Sequence, residues 1–282
     1  MTTGTLYIVA TPIGNLEDMT FRAVRILNEV DLIAAEDTRH TRKLLTHFGI
    51  STSLTAYHDH NETLKTPYLI ERLKEGQSVA IVTDAGTPCI ADPGYRIVRA
   101  AAIEGIRVVP VPGASAAMAA LSASGLPTDE FTFAGFLPSK QGKRRERLTE
   151  LKSEPRMLVF YEAPHRLAAT LADMADLLGE RQAVVARELT KLFEELCLGT
   201  LPELADRFRQ VPARGEVVVL VAPPEKNFQA EPVDLAGMLR TSLAGGVTVK
   251  DAVKLVATAT GQSRSAVYAT ALALQESIKR SV

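Results

Sequence analysis

The first part of the chain alternates short apolar runs with stretches of helical periodicity. Four apolar runs predict strands, at Thr5–Ala10, Leu32–Glu36, Ser78–Thr83 and Arg107–Pro112. Between them, apolar residues recur at helical spacing, which predicts helices at Arg22–Asn28, Thr41–His47, Thr63–Glu75 and Tyr95–Glu104. Strands that alternate with helices are typical of a parallel sheet, so residues 1–120 predict an N-terminal α/β domain.

The pattern changes after residue 120. Five strand-like runs follow and look partly antiparallel: FTFAGFLP, RMLVFYEAP, AVVAREL, ELCLGTL and EVVVLVAP. Helical patterns cover Arg166–Leu178 and Leu201–Gln210. We therefore interpret residues 121–224 as a second α/β domain.

The end of the chain has a third character. The polar, proline-bounded segment Pro223–Pro232 is typical of a linker. Three short helical patterns follow, and Val233–Val282 contains six Lys or Arg against three Asp or Glu. Residues 225–282 thus predict a linker and a small helical module. A helix-turn-helix-like module fits this pattern, and a capping bundle or a dimer contact fits it equally.

Composition narrows the class of protein. A chain of 282 residues accommodates two modest domains and an appendage. Its net charge of -1 means that any surface for nucleic acid must be local. The two cysteines suit a reducing compartment, and no run approaches the roughly 18 apolar residues of a membrane span. With no signal-peptide pattern either, we expect a cytoplasmic protein that has no membrane partner.

Glycine and proline concentrate in three loops that directly follow predicted strands, Thr11–Asp18, Asp84–Gly94 and Pro112–Met118. Such residues let backbone groups approach a ligand closely, and open parallel sheets bind ligands at the carboxyl ends of their strands. Any one loop would pass as a tight turn, but three at one edge predict a binding cleft. The common dinucleotide and P-loop fingerprints are missing.

Charged residues follow the same strand ends. Glu36, Asp37 and Arg39 come just after a buried strand, where a carboxylate can orient a hydroxyl and a guanidinium can hold a phosphate. Alternatively, Asp37 caps the next helix. Glu62 is a further acid, at a helix start. The HDH segment at residues 58–60 lacks a third ligand, so we expect no metal site.

A basic segment lies in the second half of the chain. LPSKQGKRRER carries five basic residues in the eight from Lys140 to Arg147, which favours either a phosphate clamp or a solvated helix start. FYEAPHRL then ends a strand with an acid, a proline and two cationic residues.

Taken together, these segments resemble one superfamily. VATPIGNLEDMTFRA, AEDTRHT, HNE, VTDAGTPCIADPGYRIV, PVPGASAAMAALSASGLP and FYEAPHR occur in that order. They are similar to the tetrapyrrole methylase (class III) superfamily, and within it to the 16S ribosomal RNA cytidine 2'-O-methyltransferases. The resemblance implies two α/β domains with the cofactor cleft between them, plus a small all-helical C-terminal module. It also implies S-adenosylmethionine as cofactor, 16S ribosomal RNA within the small ribosomal subunit as partner, and a homodimer.

The resemblance further implies the residues that contact the cofactor. They lie in the three glycine- and proline-containing loops and in the second domain. They are Pro12, Ala85, Gly86, Thr87, Ile90, Ser115, Ala116, Tyr161, Glu162, Ala163 and Leu189. Corrin and sirohaem methylases have a G-x-G-P-G-type first loop. ATPIGN stands in its place here, which points away from a tetrapyrrole substrate.

Methyl transfer to a ribose hydroxyl is an in-line displacement that positioning accelerates, and a carboxylate can assist by taking the hydroxyl proton. We predict Asp37 as this base or as the group that orients the hydroxyl, with Glu36, Glu62 and Glu162 as competitors. Cationic side chains would hold RNA phosphates. The candidates are Arg39, Lys140, Lys143, Arg144, Arg145 and Arg166.

Two other functions compete with RNA methylation. One is a small-molecule methyltransferase acting on a tetrapyrrole, against which stand the basic segment and the altered first loop. The other is a non-catalytic RNA-binding assembly factor that uses the helical module. A nicotinamide oxidoreductase fits least well because no dinucleotide fingerprint is present.

Overall fold

The computed structural model describes residues 3–224, 234–244, 247–260 and 263–280. The chain divides into two compact units, residues 1–224 and 225–282. The predicted linker, Pro223–Pro232, lies almost wholly outside the described residues.

The first part of the larger unit is built on a five-stranded parallel sheet with strand order β3-β2-β4-β1-β5. The strands are β1 (Thr5–Val9), β2 (Leu32–Ala35), β3 (Leu54–Ala56), β4 (Val79–Val82) and β5 (Arg107–Val111). The sequence pattern predicts four of them. It does not predict β3, because three residues are too few to show an alternation.

Five helices accompany this sheet: α1 (Phe21–Glu29), α2 (Thr38–His47), α3 (Glu62–Lys74), α4 (Tyr95–Ile103) and α5 (Ala116–Ala123). Apolar clusters cover both faces of the sheet, one around Leu69 and Ile97 and the other around Leu27 and Leu45. Burial on both faces explains why the strands consist of continuous apolar runs. The first four helices confirm the predicted ones. α5 carries no polar stripe that would have marked it as a helix.

The second part contains another five-stranded sheet, with order β6-β7-β10-β8-β9. Only β6 and β7 are parallel neighbours, which confirms the partly antiparallel pattern. The strands are β6 (Phe131–Phe136), β7 (Met157–Glu162), β8 (Gln182–Arg187), β9 (Glu195–Thr200) and β10 (Val217–Val221). Its helices are α6 (Gln141–Leu151), α7 (Leu167–Leu178) and α8 (Leu201–Gln210).

One apolar cluster joins the two sheet regions. Ala117 and Leu121 of α5 pack with Met157, Val159 and Val184 of the second sheet. The other face of that sheet is covered by its own helices. The architecture confirms the predicted fold class of two α/β regions. Residues 1–120 and 121–224 stay our proposed domain limits.

The smaller unit consists of helices α9 (Leu235–Ala244), α10 (Val249–Thr260) and α11 (Arg264–Arg280). Each helix contributes to a separate small core, for example through Leu239, Val256 and Val267. The predicted all-helical module is confirmed. None of the helices within the described ranges is both long and apolar enough to cross a membrane.

Candidate active site between the two α/β regions

The three glycine- and proline-containing loops meet at one edge of the first sheet, because β4, β1 and β5 are parallel neighbours. Thr11 and Gly86 exchange two backbone hydrogen bonds of 2.9 and 3.0 Å. The Thr11 hydroxyl donates to the Thr83 carbonyl at 3.1 Å, and the Thr87 hydroxyl donates to the Ala114 carbonyl at 3.2 Å. These bonds tie the loops after the three strands into one structure.

The loop after β4 holds an unusual backbone conformation. Cys89 and Ala91 have positive φ angles of 69° and 62° although neither is glycine. At Gly94, φ is 135° and an added Cβ would lie 2.5 Å from the Cys89 sulfur. Residues held in such conformations persist only where the surroundings fix them, and they concentrate at functional sites. The loop therefore presents its side chains in a defined arrangement.

A cavity of about 310 Å³ opens between these loops and the second sheet. Of the eleven residues predicted to contact the cofactor, ten line it: Ala85, Gly86, Thr87, Ile90, Ser115, Ala116, Tyr161, Glu162, Ala163 and Leu189. Pro12 is buried and does not line it, whereas its neighbour Ile13 does. The structure thus brings together residues that are far apart along the chain, from Ile13 to Val218.

Several lining residues are not predicted from the sequence. They are Ile13, Asp92, Phe136, Pro164, Gly215, Glu216, Val217 and Val218. The last four lie just before and at the start of β10, where Val217 pairs with Glu162 in antiparallel register. That pairing places the beginning of one strand beside the end of another, and no local sequence signal reveals it. Asp92 could have been found from the sequence, because it is an acid within a loop that follows a strand.

The second sheet contributes an aromatic wall. Tyr161 makes edge contacts with Phe133 and Phe136, with ring centroids 5.0 and 5.5 Å apart. Burial raises the pKa of Tyr161, while hydrogen bonds to the Ala117 backbone and the Ser115 side chain oppose the shift. The phenol is therefore neutral near pH 7, and it links the second sheet to the start of α5.

Glu162 lines the cavity at the end of β7, but its carboxylate is engaged internally. It accepts hydrogen bonds from the Ala163 backbone at 2.8 Å and from the Thr170 hydroxyl at 2.6 Å. Arg166 lies 3.2 Å from the same carboxylate and also donates to the Leu137 carbonyl at 2.7 Å. These bonds fix the turn after β7, so both side chains act here as structural supports.

Acidic side chains gather beside the cavity because β2 and β4 are neighbouring strands. Glu36, after β2, accepts the Thr83 hydroxyl at 2.6 Å. Asp84, after β4, accepts the backbone N–H of Asp37 at 3.1 Å. The strand order, which cannot be predicted from the local sequence pattern, therefore brings Glu36 and Asp84 together from two separate motifs.

Asp37 occupies the N-cap of α2, the alternative that the sequence left open. Its carboxylate accepts the backbone N–H of Arg39 at 2.7 Å and lies 2.9 Å from the guanidinium of the same residue. The side-chain hydrogen bond and charge of Arg39 lower the pKa of Asp37 to about 2. So strong an acid is a weak proton acceptor near neutral pH.

Asp92 has the opposite electrostatic environment. Burial and the nearby charge of Glu36 raise the pKa of Asp92 to about 6. The charges of Asp84 and Asp59 also raise this pKa, whereas a hydrogen bond with the Thr83 hydroxyl lowers it. Asp92 lines the cavity directly.

The remaining predicted acid lies elsewhere. Glu62 begins α3 and accepts a hydrogen bond of 2.6 Å from Arg96 of α4, and it does not line the cavity. Among the described residues, no group of three or more His, Cys, Asp or Glu is arranged to hold a metal ion.

The predicted phosphate-binding residues have different surroundings. Arg144 is 4% exposed and bound to Asp173 at 2.7 Å, and Arg145 pairs with Asp173 and Asp176 at 2.8 and 3.0 Å. Lys140 and Lys143 at the start of α6 are exposed.

A second basic surface lies on α2, outside the predicted set apart from Arg39. It is an open groove formed by Thr38, Arg39, Arg42, Lys43, Thr46 and His47. Its cationic side chains are exposed, and α2 itself contains no Asp or Glu. We call this surface the α2 basic groove. Because Asp37 bonds to Asp84, the groove begins beside the acidic residues of the cavity.

Comparison with known proteins agrees with this geometry. Residues 5–205 match the family described as Tetrapyrrole (Corrin/Porphyrin) Methylases, and residues 229–275 match the RsmI C-terminal HTH domain. Among solved structures, the fold is similar to uroporphyrin-III-C-methyltransferase from Thermus thermophilus, with TM-score 0.56, 22% identity and coverage of 78% of this chain and 94% of that one. It is also similar to diphthine synthase, with TM-score 0.60, 16% identity and coverage of 77% and 89%. These likenesses concern the fold alone.

Sequence relatives are much closer. Ribosomal RNA small subunit methyltransferase I of Pseudomonas aeruginosa is 50% identical over 283 residues, which cover 98% of this chain and 99% of the relative. The protein of the same name from Xylella fastidiosa is 51% identical, over 95% of this chain and 98% of the relative. With identity of this level over nearly the whole length of each, the chain belongs to the ribosomal RNA small subunit methyltransferase I family of the tetrapyrrole methylases.

Proposed function

We propose that this chain transfers the methyl group of S-adenosylmethionine to the 2'-hydroxyl of a cytidine in 16S ribosomal RNA. One observation carries the proposal: the cavity between the two α/β regions is lined by ten of the residues that the family resemblance implies for the cofactor. The names of the relatives supply the substrate class, small subunit ribosomal RNA.

The chemistry of the cavity fits this cofactor. Apolar side chains such as Ile13, Ile90 and Leu189 offer surface for an adenosine group, and the Thr87 and Ser115 hydroxyls offer hydrogen bonds. The charged side chains of its described lining are all acids, without a lysine, arginine or histidine among them. That charge suits a cationic sulfonium and disfavours a phosphate group. When bound, the cofactor supplies an activated methyl group.

The two exposed basic surfaces support an RNA substrate. The α2 basic groove and the start of α6, with Lys140 and Lys143, provide the local positive charge that a chain of net charge -1 lacks overall. Arg144 and Arg166 are held by buried carboxylates, whereas Arg39 is 90% exposed although it pairs with Asp37. We therefore assign phosphate contacts to Arg39, Lys140 and Lys143.

The helical module supports a nucleic-acid substrate independently. Residues 229–275 match a domain described as HTH, a motif that often presents a helix to nucleic acid. We assign the module a role in holding the RNA or the small subunit. A cytoplasmic location, expected from the sequence, and a homodimer, implied by the family resemblance, remain part of the proposal.

The test is transfer of labelled methyl from S-adenosylmethionine to small ribosomal subunits that lack the modification, followed by nuclease mapping. We expect label on the ribose of a cytidine in 16S RNA. Naked 16S RNA in a parallel reaction shows whether the assembled subunit is required. Label on a base, or on a tetrapyrrole offered instead, would contradict the proposal while leaving the family assignment intact.

A further inference from the structure

Asp92 is fixed on the wall of the cavity. It stands in the loop between β4 and α4, directly after Ala91 with its positive φ of 62° and two residues before Gly94 with φ of 135°. Because Gly94 packs against the Cys89 sulfur, this backbone has little freedom to rearrange. Asp92 therefore lines the cavity from a backbone segment that its surroundings hold in place.

The neighbouring acids have hydrogen-bond partners of their own. Glu36 accepts the Thr83 hydroxyl, a group that also lies close to Asp92, and Asp84 accepts the Asp37 backbone N–H. The Asp37 carboxylate is bound by Arg39. Of these four carboxylates, Asp92 is the one that lines the cavity.

We propose that Asp92 accepts the proton of the ribose 2'-hydroxyl as that oxygen attacks the methyl carbon. The 2'-oxygen forms a bond to this carbon while the carbon–sulfur bond breaks, and the electron pair of the broken bond stays on sulfur. The proton moves to the Asp92 carboxylate and then to solvent. This inference rests on the proposed function and adds to it the group that removes the proton.

Electrostatics favours Asp92 over the other titratable groups near it. Burial and Glu36 raise its pKa to about 6, with smaller contributions from Asp84 and Asp59, so the group is ionised at neutral pH yet basic enough to accept a proton. Burial and the charge of Asp92 raise the pKa of the Cys89 thiol to about 11, so the thiol stays protonated.

The other side chains around the site do not replace it. Burial raises the pKa of Tyr161 as well, with the charge of Asp92 contributing, so the phenol also stays protonated. Burial raises the pKa of Asp84, the charge of His40 of α2 opposes this shift, and His40 does not line the cavity.

The test is Asp92→Asn, which keeps the shape of the side chain and removes its basicity. We expect kcat for RNA methylation to fall about 100-fold or more, while the Kd values for S-adenosylmethionine and for RNA stay within about twofold of wild type. The wild-type rate should rise with pH and level off above about 6, and Asp92→Asn should lose this dependence. Asp206→Asn, at an exposed position on α8, serves as the matched control with unchanged rate.

Three outcomes would overturn the inference. Asp92→Asn could methylate at the wild-type rate while Asp37→Asn does not, which would return the role to Asp37. Asp92→Asn could lose cofactor binding in proportion to activity, which would make Asp92 a binding residue only. If wild-type protein itself methylates no RNA, the proposed function fails together with the inference; an active wild type with an active Asp92→Asn removes the inference alone.

Discussion

Helices α2 and α6 each lie in one of the two α/β regions, and each carries a run of basic side chains. On α6, Arg144 and Arg145 face Asp173 and Asp176 of α7, and Arg147 pairs with Glu150 on its own helix. The cations of α2 are exposed, and that helix contains no acid; Arg39 pairs with Asp37, the residue just before the helix, yet its side chain stays 90% exposed. The comparison teaches that a basic run indicates a phosphate site only where the tertiary structure leaves the charges exposed to solvent.

The largest change in stability should come from breaking the buried ion pair between Arg144 of α6 and Asp173 of α7. Arg144→Ala removes a guanidinium that is 4% exposed and leaves the Asp173 carboxylate buried with fewer donors. We expect the free energy of unfolding to fall by about 3 kcal/mol, measured by urea denaturation. RNA affinity of the folded variant should stay at the wild-type level. Replacing both partners, as Arg144→Met with Asp173→Leu, should recover much of the loss, since no unpaired charge then remains.

The same pair has a defined pH dependence. Burial alone would raise the pKa of Asp173, but hydrogen bonds from Arg145 and Arg144 outweigh it and lower the pKa. A carboxyl group with a lowered folded-state pKa stabilises the protein above its unfolded pKa of about 4, and the contribution is lost as pH falls through the folded value. Wild type should therefore lose stability on acidification more steeply than the Met/Leu double variant. Equal acid sensitivity of the two proteins would contradict this explanation.

Substitutions in the α2 basic groove should have a smaller effect, and they should change RNA affinity instead of stability. Arg42→Ala with Lys43→Ala removes two exposed charges, so stability should change little. We expect RNA affinity to fall about tenfold at physiological salt, and the slope of log K against log salt to decrease by about 1.4 for two contacts to a single strand. Binding of S-adenosylmethionine should be unchanged because neither residue lines the cavity.

The matched control removes the same charge elsewhere. Arg25→Ala with Arg209→Ala deletes two exposed arginines, each paired with an acid of its own helix. If this pair of substitutions lowers RNA affinity as much as the α2 pair does, the groove has no specific role and net charge alone explains the effect.

The secondary structure shows which features the local sequence pattern can predict. Short apolar runs predict nine of the ten strands in the described residues, and they fail only at Leu54–Ala56, where the strand is too short to show a pattern. α5 is missed because apolar or small residues, such as Met118 and Ala123, also occupy its exposed positions, so it has no polar stripe. Local pattern therefore suffices wherever an element is long enough and its apolar residues contrast clearly with polar ones.

The local sequence pattern does not predict which side chains from distant segments contact each other. Arg144 is buried because Asp173, 29 positions further on, faces it from α7, and in the sequence that aspartate resembles any polar position of a helix. Asp92, in the loop after β4, comes near Glu36 after β2 only through the strand order of the first sheet. The cofactor cleft is more accessible to sequence because its loops carry glycine and proline at strand ends, although the role of each residue there stays a proposal.

The smallest effect on RNA binding should come from the start of α6, where an exposed cation and a paired cation of the same helix can be compared. Lys143 is exposed, whereas Arg147, one turn further, is paired with Glu150 at 2.6 Å. If phosphates contact only the start of α6, Lys143→Ala should weaken RNA binding about three- to fourfold and reduce the salt slope by about 0.7. Arg147→Ala, with the same change of charge, should leave both quantities at the wild-type level. Equal losses for both would mean that RNA contacts the whole exposed side of α6 and competes there with its ion pairs, which would remove the distinction between the two helices.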